Sequence, residues 1–157
     1  MKKNISVKPI TERESALLIA KSLPDYFNEN GIKTLERDLE LHDFFGAFVG
    51  DKLVGFITLR KTDIASLEIS WLAILKEFQG QGIGKRLVKE TLNSYVEKGY
   101  NIAYVKTLAE TVKNKGYEQT RKFYKLLGFQ TLEIINPYPS WEKGNPCQIL
   151  AASIPIQ

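Results

Sequence analysis

Cysteine and histidine are almost missing from this chain: Cys147 and His42 are the only ones among 157 residues. A single cysteine excludes an intrachain disulfide and a cysteine-built metal cluster. Its setting in the apolar run 147–152 reads as a packed core thiol. A triad that uses histidine would have to use His42. That residue stands beside Asp43 at the end of a helical pattern, which reads as a helix-end or surface role. Long apolar runs are missing too, since none approaches the roughly 20 residues that span a bilayer. The start, Met1-Lys2-Lys3-Asn4, is basic with no apolar signal core behind it. The expectation is a cytoplasmic chain with no membrane partner. Basic runs are also absent. The net charge of +4 is spread among acids, which suits an anionic ligand such as a nucleotide cofactor and leaves nucleic-acid binding as the minor reading.

What is present fits one domain over residues 1–157, with 43% hydrophobic residues to build its core. The distinctive stretch is Gln79-Gly80-Gln81-Gly82-Ile83-Gly84-Lys85. A strand-like run with Ile69, Trp71 and Ile74 precedes it. Lys85–Lys98 follows, with Leu87, Val88, Leu92, Tyr95 and Val96 at helical spacing. Glycines let backbone N–H groups approach a ligand, and a helix start adds unpaired donors and positive partial charge. The pattern therefore predicts an anion site suited to a diphosphate. Two familiar phosphate loops fail against these residues. The P-loop would need glycine at Gln79 and Ser/Thr at Arg86, and the dinucleotide fingerprint would need glycine at Lys85 or Leu87. An ordinary glycine-rich turn stays open on the loop alone.

The rest of the chain alternates in type. Ile5–Ile10 reads as a strand, and Thr11 with Glu14 has capping-box spacing for a helix that runs to Pro24. Asp25–Gly31 reads as a loop with exposed Tyr26 and Phe27, and Ile32–Leu41 as a second helix. Phe44–Val49 and Leu53–Arg60 flank Gly50-Asp51-Lys52 as a hairpin, and Ser66–Leu75 continues the sheet. After the helix, capped by Gly99, come a strand at Ile102–Leu108 and a polar loop at Glu110–Glu118. A short helix at Thr120–Leu127 ends at Gly128. Strands at Phe129–Ile135 and Cys147–Ser153 flank a proline-rich turn. The order β-α-α-β-β-β-α-β-α-β-β predicts an α/β (α+β) domain with a mixed, mostly antiparallel sheet flanked by helices.

The loop Gln79-x-x-Gly82-x-Gly84 resembles the acetyl-CoA pyrophosphate loop of the GNAT superfamily of N-acetyltransferases. Phe123-Tyr124-Lys125-Leu126-Leu127-Gly128-Phe129 is similar to the family's Phe-Tyr-x-x-x-Gly-Phe segment. Trp71-Leu72-Ala73-Ile74 resembles its pantetheine-binding strand. The resemblance covers nearly the whole chain and implies acetyl-CoA as co-substrate, with no metal. It implies direct attack by a primary amine of a small molecule or peptide in a ternary complex. An acyl-CoA-binding sensor without turnover is the alternative. A homodimer stays open.

What the resemblance implies residue by residue is as follows. The backbone from Gln79 to Lys85 (Gly80, Gln81, Gly82, Ile83 and Gly84 between them) holds the diphosphate. The main chain of Leu72, Ala73 and Ile74 pairs with the pantetheine arm. Tyr124 is the general acid for the departing thiolate, with Phe123 the better core candidate of the two rings. Glu68 is the candidate base. Four residues before Leu72, it shares a face with Ser70, Leu72 and Ile74 in a regular strand. A solvent-facing strand carboxylate is the other reading of Glu68, and a core aromatic that of Tyr124. Lys85 and Arg86 read equally well as phosphate contacts or as solvated cations. The chain departs from the family at Tyr117, where an asparagine usually bonds pantetheine, and Asn114 is out of register. Asp25, Tyr26, Phe27, Glu29, Asp38 and Asp43 read either as a cleft for a cationic amine or as ordinary surface.

Overall fold

The computed structural model describes residues 4–157, so the basic segment Met1–Lys3 lies outside the described residues. The strands are β1 (Ile5–Pro9), β2 (Asp43–Val49), β3 (Lys52–Lys61), β4 (Ser66–Ile74), β5 (Ile102–Leu108), β6 (Gln130–Ile135) and β7 (Cys147–Ser153). They form one seven-stranded sheet in the order β1-β2-β3-β4-β5-β7-β6. Every neighbouring pair is antiparallel except β4 and β5, which run parallel. The helices are α1 (Arg13–Lys21), α2 (Glu29–Leu41), α3 (Ile83–Asn93) and α4 (Lys115–Leu126). The element order is the one that the sequence predicts.

All four helix starts differ from the sequence reading: α3 begins at Ile83, two residues before Lys85, and the other three differ each for a local reason. The N-cap of α1 is Glu12, which makes no side-chain cap bond, so Thr11 and Glu14 form no capping box. Helix α2 begins earlier because Asn28 accepts from the Gly31 N–H at 2.8 Å, a standard N-cap bond. Helix α4 begins within the stretch expected as a loop because Asn114 accepts from the Tyr117 N–H at 3.0 Å. At the other end, α3 stops at Asn93, and a short 3₁₀ turn carries the chain to Gly99, whose φ of 96° closes it.

The two faces of the sheet carry different cores. One packs Leu67, Ile69, Ala103 and Val105 against α3 through Leu87 and Leu92, against α4 through Tyr124, and against Phe129 just before β6. The other packs Phe44, Phe56 and Ala73 against Ala16, Ile19, Leu35 and Leu39 of α1 and α2. Cys147 is buried, as expected of a packed thiol. Phe27, expected to be exposed, is buried and stacks on Trp71 with ring centroids 5.1 Å apart. No helix among the described residues is long and apolar enough to cross a membrane.

Candidate active site

A parting of two strands makes the site. β4 and β5 pair only from Ser66↔Ile102 to Ile69↔Val105. Beyond that point β4 keeps its partner β3 as far as Ile74, while β5, paired with β7 on its other edge throughout, runs on to Leu108. The β5-facing edge of β4 from Ser70 to Ile74 is therefore left without a strand partner, and a cleft of about 740 Å³ opens there. An unpaired strand edge offers main-chain donors and acceptors to an extended ligand.

At one end of the cleft lies the glycine-rich loop. Gly80 and Gly82 have φ of 75° and 81°, in the left-handed region that glycine enters without strain. Gly82 is the N-cap of α3 and supplies no side-chain cap. The first N–H of α3 that closes a helical bond is that of Arg86, to the Gly82 carbonyl. The N–H groups of Ile83, Gly84 and Lys85 thus remain free for an anion. Gln79, Gly80, Gly82, Ile83, Gly84 and Lys85 line the cleft, and Gln81 does not. Gln79 instead braces the loop, its Nε2 donating to the Ile74 carbonyl at 2.9 Å. Arg86 pairs with Glu90 at 2.8 Å, which favours the solvated reading of that cation.

Leu72 and Ile74 line the cleft, and Ala73 does not. Ala73 is 5% exposed and belongs to the core under α1 and α2, so only its main chain is at issue. From α4, Phe123 and Tyr124 both line the cleft. The assignment of Phe123 to the core is corrected. Phe123 is half-buried and lies against Gly84, while Tyr124 is 2% exposed between Phe123 and Phe129. Helix α4 is tied to β5 by buried Arg121, which donates to the Leu108 carbonyl. The Tyr124 hydroxyl makes no hydrogen bond among the described residues. Burial pushes its pKa above the ordinary phenol range, so the hydroxyl keeps its proton at neutral pH.

The alternation expected for β4 breaks at Ser70. Thr58 pairs with Trp71 and Leu59 with Ile69, so Ser70 is an extra residue, a β-bulge. Leu72 and Ile74 consequently pack with Ile69 toward α3, whereas Trp71 and Ala73 pack toward α1 and α2. Glu68 precedes the bulge and faces opposite to Leu72, which corrects the shared face read from the sequence. It does not line the cleft. Its carboxylate accepts from Arg60 Nε at 2.8 Å and lies 3.3 Å from Lys106 Nζ. Lys106 does line the cleft.

Several cleft residues carry no signal in the loop and strand motifs. Ser70 arrives through the bulge, and Asn114 arrives as the cap of α4 together with Tyr117. Asp25, Tyr26 and Phe27 line the far wall. Glu29, Asp38 and Asp43 do not; Asp38 accepts from Trp71 Nε1 at 2.8 Å and Asp43 from the Tyr95 hydroxyl at 2.5 Å. His42 caps the end of α2, but its side chain is only 11% exposed, so the surface reading is corrected.

Residues 40–131 match the acetyltransferase (GNAT) domain family. An uncharacterized N-acetyltransferase of Chlorobaculum tepidum is 34% identical over 89 residues, 56% of this chain. That match spans 54% of the relative, about half its length. A GNAT-family protein of Desulfovibrio desulfuricans superposes with a TM-score of 0.82 at 16% identity, covering 96% of this chain and 99% of its own. A GNAT acetyltransferase of Elizabethkingia anophelis, solved with acetyl-CoA bound, gives 0.72 at 21% identity, covering 98% and 100%. These two likenesses concern the fold. With the family match over more than half of its length, the chain belongs to the GNAT acetyltransferase family.

Proposed function

We propose that the protein is an acetyl-CoA-dependent N-acetyltransferase that moves an acetyl group to a primary amine of a small molecule or peptide, with both substrates bound at once. The observation that carries this reading is the cleft where β4 and β5 part, with a free helix start at one end and Tyr124 on its wall. These residues suit acetyl-CoA. Free N–H groups of Ile83, Gly84 and Lys85 receive a diphosphate, and Gly80 and Gly82 add no side chain between backbone and ligand. The unpaired edge of Ser70–Ile74 takes the pantetheine amides as a neighbouring strand would. Acetyl-CoA supplies the acetyl group as a thioester.

The residues divide the work across the sheet. On the α3–α4 side, an N–H of the open β4 edge stabilises negative charge on the thioester oxygen. The Tyr124 hydroxyl donates a hydrogen bond to the departing sulfur. Its raised pKa makes complete transfer to a thiolate uphill, so solvent completes the protonation. On the α1–α2 side, Asp25, Tyr26, Phe27 and Trp71 wall the approach of the amine. Glu68 contributes by holding Lys106 at the cleft wall rather than by touching the amine. The protein is proposed to work in the cytoplasm.

The test is coenzyme A release from acetyl-CoA across a panel of primary amines and amine-bearing peptides, with product mass read in parallel. The expected result is thiol release with an acetyl group added to at least one acceptor. Tight acetyl-CoA binding with no release from any acceptor supports the sensor reading instead.

A further inference from the structure

We propose that Ser70 and His42 form a proton path out of the cleft, in which Ser70 Oγ takes a proton from the attacking amine and passes its own to His42 Nδ1. This inference rests on the acetyl-transfer reading of the cleft and supplies the proton acceptor that Glu68, outside the cleft wall, does not.

The geometry is continuous. Ser70 lines the cleft, set there by the bulge in β4. Its Oγ lies 2.9 Å from His42 Nδ1 and 2.6 Å from Thr58 Oγ1. The Ser70 proton has two acceptors in reach, the Thr58 carbonyl oxygen at 3.3 Å and the nearer His42 Nδ1, and the shorter contact selects one arrangement: Thr58 donates to Ser70, Ser70 donates to His42, and the imidazole carries its own proton on Nε2. That Nε2 faces Asp38 Oδ1 at 3.9 Å. Asp38 is fixed in turn, since its Oδ2 accepts from Trp71 Nε1 and Arg37 lies 3.4 Å from its Oδ1. Thr58, which holds Ser70, is fully buried, while the His42 side chain keeps 11% exposure, through which the path reaches solvent.

The electrostatics suit a neutral acceptor. Burial holds the His42 pKa below its usual value; Asp38 of α2 and Glu68 of β4 pull it up, and Arg60 of β3 and Arg37 of α2 push it down. The ring is therefore neutral at neutral pH and can take a proton, with the Asp38 carboxylate beside the cation that forms.

The step balances. The amine attacks in its neutral form, its nitrogen–carbon bond forming as the carbon–sulfur bond of the thioester breaks. The nitrogen becomes cationic and acidic and gives one proton to Ser70 Oγ while the Ser70 proton moves to His42 Nδ1. The thiolate leaves on the hydrogen bond from Tyr124 and takes a proton from solvent, to which His42 later returns its own.

Two measurements test the path. His42 is the only histidine, so its imidazole resonances are assigned without mutagenesis. Nitrogen-15 spectra should show the Nε2–H tautomer, and Ser70→Ala should shift both tautomer population and titration midpoint. A dominant Nδ1–H tautomer, or a titration unmoved by Ser70→Ala, overturns the path without bearing on the acetyl-transfer reading. The kinetic arm compares wild type, His42→Gln and Ser70→Ala with the fastest amine of the panel. The variants should lose about 10²-fold in turnover near pH 8, the lower end for acid–base catalysis. The wild-type advantage should shrink as pH falls and His42 protonates. Amine protonation is common to all three proteins and cancels in the ratio. Acetyl-CoA should still raise the Tm of both variants. A wild-type advantage that is flat with pH marks a structural role and overturns the proposal. Failure of acetyl-CoA to stabilise wild type sinks the acetyl-transfer reading itself.

Discussion

Tyr124 and Glu68 show how far a residue's chemistry depends on its neighbours. Tyr124→Phe removes one oxygen and leaves the ring between Phe123 and Phe129. Turnover should fall by roughly 10²–10³-fold, the usual cost of one preorganised donor to developing charge. Acetyl-CoA affinity should hold, and parallel kinetic and calorimetric titrations check both. Loss of affinity and Tm together would make the hydroxyl a fold contact. Glu68→Gln leaves Arg60 and Lys106 without their shared carboxylate. The account expects a fall in activity with the His42-linked step moved to lower pH, because the Glu68 charge pulls the His42 pKa up, whereas His42→Gln abolishes that step; pH–rate profiles of the two variants separate them. The position of Tyr124 on the cleft wall was legible because a short motif marks it. The orientation of Glu68 was not, because the bulge at Ser70 exists only in the register between β3 and β4. A strand read alone keeps its alternation. His42 was hidden for the same reason, since its partner Ser70 lies 28 positions away.

Among the elements, β4 joins the chemistry to the fold. Its outer edge is open from Ser70 to Ile74, and its inner edge is held by β3. Gly55 of β3 is what permits that close contact. A Cβ there would meet the Ala73 carbonyl at 2.9 Å and Ile74 Cδ1 at 2.5 Å. Gly55→Val should therefore push β4 toward the cleft. It should cost about 1–3 kcal/mol by overpacking and weaken acetyl-CoA binding in the same variant; denaturant unfolding and ligand titration read the two effects. Unchanged binding would mean that the β4 edge is not part of the cofactor site. The order of elements was legible because apolar periodicity switches cleanly between strand and helix. The starts of α2 and α4 were less so. Asn28 and Asn114 each form a cap within polar runs that read as loops. In such runs helix propensity is weak, and the cap bond decides.

At the scale of the whole molecule, the buried phenols link the fold to pH. Burial raises the pKa of Tyr95, Tyr104 and Tyr124, with Asp43 also bonding Tyr95. An unfolded phenol titrates near ~10. These groups contribute stability that is fully present below that value and is lost as pH rises through their folded pKa values. His42 acts at the other end. Its lowered pKa contributes stability above about 6.5, the ordinary histidine value, which is lost as pH falls through the folded value. Chemical denaturation across pH should therefore show a plateau between these limits, with its alkaline edge coincident with late-titrating tyrosinate absorbance. Tyrosines that all titrate near the ordinary phenol value in the folded protein would contradict this. The central claim is that one cleft, where β4 and β5 part, binds acetyl-CoA along its length. A nitrogen-15 amide titration with acetyl-CoA reads it most directly. The account predicts that the largest shifts fall on two segments, the N–H groups of Gly80–Lys85 and those of Ser70–Ile74, and that both saturate at one affinity. Shifts confined elsewhere on the sheet, or no shift at all, would contradict it.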